Sequence, residues 1–200
     1  MRDGARIAIA WGTEERERSR PFPCDRLLHL PDAAYFRGVT IRAPAEVIFR
    51  WLCQLRVAAY SYDWISHPGR RSPRRLVPGL EELAAGQRVM GSFDLVDFEN
   101  PRHLTLRLRP DASEARFVRD LAVSYVVEAR GSNACRLLVK LTLRHRPGAV
   151  GWVTRLVAPW LDFIMMRRQL LNLRALAERT AVGSGEPSFA CVSPPQQQKQ

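Results

Sequence analysis

Tyr60, Tyr62, Asp63 and Trp64 bring three aromatic rings and a carboxylate into five residues, just ahead of a Pro/Gly/Arg-rich stretch. Phenol and indole groups are polar tips on apolar bodies, so the cluster suits the rim or lid of a hydrophobic binding site. It suits equally a plug that packs the segment onto the core, with Asp63 capping a turn or pairing with Arg70 or Arg71. Farther along, Leu121, Val123, Tyr125 and Val127 alternate on one strand face, and Arg119 shares their parity. Facing inward, Arg119 would anchor a ligand carboxylate or carbonyl through its planar fork of donors; at the wet end of the strand it would only solvate the surface. Tyr125 either directs its hydroxyl into a cavity or buries it in a satisfied core contact. Phe93 and Asp97 share a parity in another run, which makes Asp97 a second candidate polar contact. Trp160, Phe163 and Met166 either line a ligand pocket, the methionine supplying adaptable shape, or pack the core.

Other chemistries find little support. His29, His67, His103 and His145 are dispersed, and none stands beside a Ser or Cys in a nucleophile motif. Cys24, Cys53, Cys135 and Cys191 are far apart, with neither a CxxC nor a His at ligand spacing, and read as reduced thiols of a cytoplasmic protein. No catalytic residue, metal site or cofactor motif is assigned.

The 200 residues suit one domain with extended ends, and 46% hydrophobic with 26% charged residues is a globular composition. The formal charge is +11, and apart from Lys140 and Lys199 every basic residue other than histidine is arginine. These arginines are scattered, so nucleic acid is disfavoured as a partner; the densest group, Arg70, Arg71, Arg74 and Arg75, is a weak anion-binding candidate. No apolar run reaches the ~18 residues that a membrane-spanning helix needs, and the N-terminus lacks a secretory pattern, so no transmembrane segment and no secretion are expected. A peripheral membrane or nucleic-acid-associated protein, using the arginines and the apolar 160–166 patch, is a further alternative. The oligomeric state is not legible.

These residues must be held by elements that the patterning outlines. A strand over 34–42 leads to a helix over 44–56, which Pro44 opens and Glu46 favours by its charge; Val47, Ile48, Trp51, Leu52 and Leu55 form its apolar face. A loop-rich stretch over 58–86 follows. Period-2 alternation over 88–98, 104–109, 121–127 and 135–144 then predicts an antiparallel sheet, apolar on one face and wet on the other. A long helix over 150–181 carries two apolar stripes, and Pro159 should kink or restart it. Such a helix is either deeply buried or faces something apolar other than its sheet. Residues 1–23 and 182–200 are expected to be flexible, with the folded domain spanning 24–181.

This order predicts an α+β fold in which a curved antiparallel sheet wraps a long C-terminal helix and leaves a cavity between them. Three passages carry a resemblance: GVTIRAPAEVIFRWLCQL (38–55), YSYDW (60–64) and LVPGLEELAAGQRV (76–89). They are similar to the strand-to-helix opening, an aromatic motif and the approach to the second strand in a bacterial subgroup of the START-like, or SRPBCC, superfamily. The resemblance implies the helix-grip fold and a cavity for a hydrophobic or aromatic small molecule. It also leaves room for a polyketide cyclase, dehydratase or aromatase steered by Tyr62, Asp97, Arg119 and Tyr125.

Overall fold

The aromatic and β-branched passage AAYFRGVTI forms strand β2 (Ala33–Ile41). Before it lie helix α1 (Arg2–Ile9), the two-residue strand β1 (Ala10–Trp11) and one turn of helix, α2 (Glu15–Arg18). After it come α3 (Ala45–Cys53), β3 (Arg88–Val89), β4 (Phe93–Glu99), β5 (His103–Leu108), β6 (Val118–Ala129), β7 (Cys135–His145) and the long helix α4 (Gly148–Gly183). The computed structural model describes residues 2–61 and 72–183. The seven strands form one sheet in the order β1-β2-β7-β6-β5-β4-β3. It is antiparallel except for the added β1–β2 pair, which is parallel, so the sheet is mixed. It curves without closing into a barrel, and α4 runs along its concave side, as in a helix-grip fold.

The alternation expected of the strands builds the concave core. Val39, Leu106, Tyr125 and Leu137 point to the same side as Ile48 and Leu52 of α3 and Leu170, Leu173 and Ala177 of α4. The Trp51 ring is fully buried, and its Nε1 donates to Thr180 Oγ1 at 3.1 Å, joining α3 to the end of α4. The two halves of α4 differ. From Gln169 onward its inner face is buried, whereas Leu156 and Trp160 are 56% and 46% exposed. The helix is a single element through Pro159, so the expected restart does not occur. By length and composition alone α4 is long and apolar enough to cross a bilayer, although Arg155 and Asp162 interrupt its apolar run. The lack of an uninterrupted run therefore does not exclude a span.

Within residues 1–23, expected to be flexible, the stretch from Ala8 to Glu17 is tied to the sheet by two buried arginines. Arg37, 1% exposed, donates through Nη1 to Ile9 O (2.9 Å) and Phe36 O (2.8 Å), and through Nη2 to Ala8 O (2.7 Å) and Asp162 Oδ2 (2.5 Å). Arg136 grips Glu17 in a fork, Nε to Oε1 at 2.8 Å and Nη2 to Oε2 at 2.9 Å, and also reaches Gly12 O. The close crossing of β1 over β2 explains two glycines. A Cβ on Gly38 would lie 2.8 Å from Gly12 O, and Gly12 itself has φ +68. Polar composition hid this docking because its energy comes from bidentate charge-assisted bonds more than from apolar area.

The expectation of a wet outer sheet face also needs correction. Phe22, Cys24 and Leu28 cover Ala122 and Leu138, and Cys24 N donates to Ser124 Oγ at 2.8 Å. Leu138, an apolar residue on the otherwise polar parity of β7, was the visible signal. The buried thiols of Cys53 and Cys135 are pushed up to about 12 and about 11 by burial, far from reactive thiolates.

Two outcomes follow from the arginine anchors. Arg37→Met leaves Asp162 without its charge partner and should cost about 3–5 kcal/mol in urea unfolding. It should also speed proteolysis within residues 2–18, and adding Asp162→Leu should restore part of the loss. The Arg136 hydrogen bonds hold the Glu17 carboxyl below its ordinary 4.5. Glu17 therefore contributes stability above that pH, and the contribution is lost as pH falls through the lowered folded value. Glu17→Gln should flatten the acid limb of a Tm-against-pH curve.

Candidate functional site

The concave face is not filled along its whole length. Where α3 and the second half of α4 meet the sheet the interior is packed, but beneath the first half of α4 a cavity of about 450 Å³ remains. The sheet supplies Tyr35, Phe93, Val118, Leu121, Val123 and Leu143 to its wall. From α4 come Val153, Val157, Leu161, Met165 and Met166, spaced to face inward along one side of the helix. Phe117, 49% exposed, stands at the wall's outer limit.

Polar groups converge at one region of this apolar chamber. Tyr125 Oη donates to Gln169 Oε1 at 2.7 Å, and Gln169 Nε2 donates in turn to Ala59 O at 2.6 Å. Met90 Sδ lies 3.4 Å from the same amide nitrogen. Asp162 also lines the cavity: Oδ2 is taken by Arg37, and Oδ1 has no hydrogen-bond partner among the described residues. Burial pushes the Asp162 carboxyl up to about 6, with the positive charge of Arg37 opposing the rise. Between its ordinary 3.8 and about 6 the folded protein holds a proton that the unfolded chain has released. The stability owed to this group thus declines as pH rises across that window, opposite in sign to Glu17. Burial and the nearby Asp162 charge push Tyr35 up to about 12, and burial raises Tyr125 as well, so both phenols stay protonated donors at neutral pH.

Of the residues singled out from sequence, Phe93, Tyr125 and Met166 line the cavity. Tyr60 is 2% exposed and packs edge-on against Trp51, ring centroids 5.9 Å apart, while Asn172 Nδ2 donates to its carbonyl at 2.8 Å; it is part of the core. Tyr62, Asp63 and Trp64 lie outside the described residues. Phe163 sits edge-on to Trp11 at 6.4 Å and beneath the Arg37 guanidinium, and Trp160 rests against Phe163 at the surface.

Arg119 and Asp97 miss the cavity for a shared reason. In β6 the partners shift from Val118↔His145 to Asp120↔Arg144, so Arg119 is an extra, bulged residue and points to solvent. In β4 the partners shift from Leu95↔Leu106 to Asp97↔Thr105, so Val96 is extra and Asp97 turns to the outer face, 3.2 Å from His103 Nε2. Each bulge inverts the parity that period-2 counting assumes. Sequence reasoning missed Tyr35, Asp162 and Gln169. Asp162 was visible only as the lone carboxylate interrupting an apolar helix.

Neither a protein-family model nor a curated protein matches the sequence. Solved structures do match the fold. The Helicobacter pylori protein jhp0584 is 12% identical, with 80% of this chain and 96% of that one covered and a TM-score of 0.52. Norcoclaurine synthase from Thalictrum flavum, solved with dopamine and hydroxybenzaldehyde, is 10% identical over 85% and 96%, with a TM-score of 0.45. The di-domain ARO/CYC protein BexL of the BE-7585A biosynthetic pathway is 14% identical over 72% of this chain and 46% of its own, with a TM-score of 0.41.

Tyr125→Phe removes the donor to Gln169 while keeping the ring. The buried Gln169 oxygen is then left unpaired, which should cost about 1–3 kcal/mol in chemical denaturation. Adding Gln169→Leu should recover part of that cost.

Proposed function

The chain has the helix-grip fold of the START-like (SRPBCC) superfamily, and on that premise we propose that it binds a hydrophobic or aromatic small molecule, lipid- or polyketide-like, between the sheet and α4. The observation that carries this reading is the cavity of about 450 Å³, apolar on nearly every wall and polar at Tyr125, Gln169 and Asp162. Apolar ligand surface would supply most of the affinity at roughly 25 cal/mol per Å² before ordering costs. The polar end would orient a hydroxyl, carbonyl or amine: Asp162 Oδ1 accepts, and the Tyr35 hydroxyl, protonated at neutral pH, donates, while the Tyr125 proton is held by Gln169.

One observation favours a second reading, acid–base catalysis of the cyclase or dehydratase type. The Asp162 carboxyl, pushed up to about 6, can exchange a proton near neutral pH at the polar end of an apolar chamber. In this reading Asp162 replaces Arg119 and Asp97 as the polar group to examine, and substrate shape would steer the reacting chain.

Titration with anilinonaphthalene sulfonate and a fatty-acid series tests the binding reading. Saturable, mutually competitive binding is expected, and Leu121→Trp, which fills the chamber, should weaken it about tenfold or more, the equivalent of ~1.4 kcal/mol. Absence of binding by every probe would overturn it. The catalytic reading expects Asp162→Asn to abolish turnover of an aromatic polyketone substrate while probe binding persists. Equal turnover by that variant would remove it.

A further inference from the structure

The first half of α4 also carries an exposed apolar stripe that runs from the rim of the cavity onto the outer side of the helix. Val153, Leu156, Val157, Trp160, Leu161 and Ile164 are between 46% and 56% exposed, and their three- and four-residue spacings make one continuous stripe. Trp152, at the helix start, is 66% exposed. Helix α1 packs beside α4 and adds Ile7 and Ile9, 47% and 44% exposed. Soluble monomers rarely leave so large an apolar patch contiguous and bare.

The charges around the stripe select its occupant. Arg167, over the Trp11 ring, and Arg168 are exposed on α4 in line with the stripe, and Arg6 is exposed on α1. From Gly148 to Arg174 the only acidic residue is Asp162, which is turned inward and paired with Arg37. A second copy fits poorly, because stacking two such faces would bring both sets of arginines together on a chain already at +11. Aliphatic side chains, exposed tryptophans and a rim of unopposed arginines match the headgroup boundary of an anionic membrane. We propose that this face docks α4 flat on an anionic lipid bilayer. The Asp162–Arg37 ion pair keeps the helix fastened to the sheet, so docking needs no insertion across the membrane. Val153, Val157 and Leu161 belong both to the stripe and to the cavity wall, which puts the chamber directly beneath the docked surface.

The proposal rests on surface exposure and charge, independently of whether the cavity binds a ligand. The test is flotation of the full chain with vesicles of phosphatidylcholine alone or mixed with phosphatidylglycerol. Binding is expected to the anionic vesicles at low salt and to weaken as salt is added. Leu156→Glu with Ile164→Glu alters two stripe residues outside the cavity wall. It should reduce vesicle binding about tenfold or more while leaving the circular-dichroism melt and probe binding in place. Leu156→Ser with Ile164→Ser serves as the milder pair if the acidic one melts early. Failure of the native chain to float with anionic vesicles would overturn the proposal, as would equal flotation of both pairs. A dimer by light scattering that these substitutions dissociate, without vesicle binding by the native chain, would assign the face to a second copy instead.

Discussion

A single buried guanidinium ties the molecule together. Without partners, a charge as enclosed as that of Arg37 would be prohibitive in an interior. It is sustained by one carboxylate on α4 and three backbone carbonyls, two of them the otherwise orphaned carbonyls at the end of α1. The positive group also meets the negative end of that short helix. One side chain therefore sets the position of α1, the edge of β2 and the middle of α4. The same interaction carries Asp162 to the cavity wall, so the anchor of the fold and the polar end of the site share an ion pair.

The division of α4 follows from what lies beneath it. Toward its C-terminus, Leu170, Leu173 and Ala177 meet α3 and the floor of the sheet, and the space is closed. Toward its N-terminus no element equivalent to α3 lies under the helix among the described residues, and the sheet leaves the cavity there. The helix bridges that gap and contributes wall residues without filling it. Its start is fixed sterically: a Cβ on Gly151 would fall 1.6 Å from Arg146 O, so the turn from β7 into α4 admits hydrogen alone at that position.

Strands, α3 and the long helix were legible because each leaves a periodic trace. Period-2 alternation marked β5 to β7, and three- and four-residue spacing marked α3 and α4. The cavity-facing Tyr125, Phe93 and Met166 were reachable by the same counting. The docked N-terminus was not, because Arg37 and Arg136 look like surface residues until the backbone that satisfies them is in place. Gln169 was hidden for a similar reason: its partners, Ala59 O and Tyr125, lie more than forty residues away. Arg119 and Asp97 were misplaced although they sit in correctly identified strands.

The two bulges govern how this chain can be lined up with others. At Val96 and Arg119 the face that a residue occupies depends on how many residues precede it in its strand, not on its chemical type. Deleting either extra residue would set Leu95 beside Asp97, or Val118 beside Asp120, in regular alternation and keep every side chain on its present face. A deletion elsewhere in these strands would turn the residues between it and the bulge over, carrying charge inward and hydrocarbon outward. These two positions can therefore lose a residue where their neighbours in the strand cannot. An alignment gap belongs at Val96 and Arg119; set farther along the strand, it assigns the residues in between to the wrong surface.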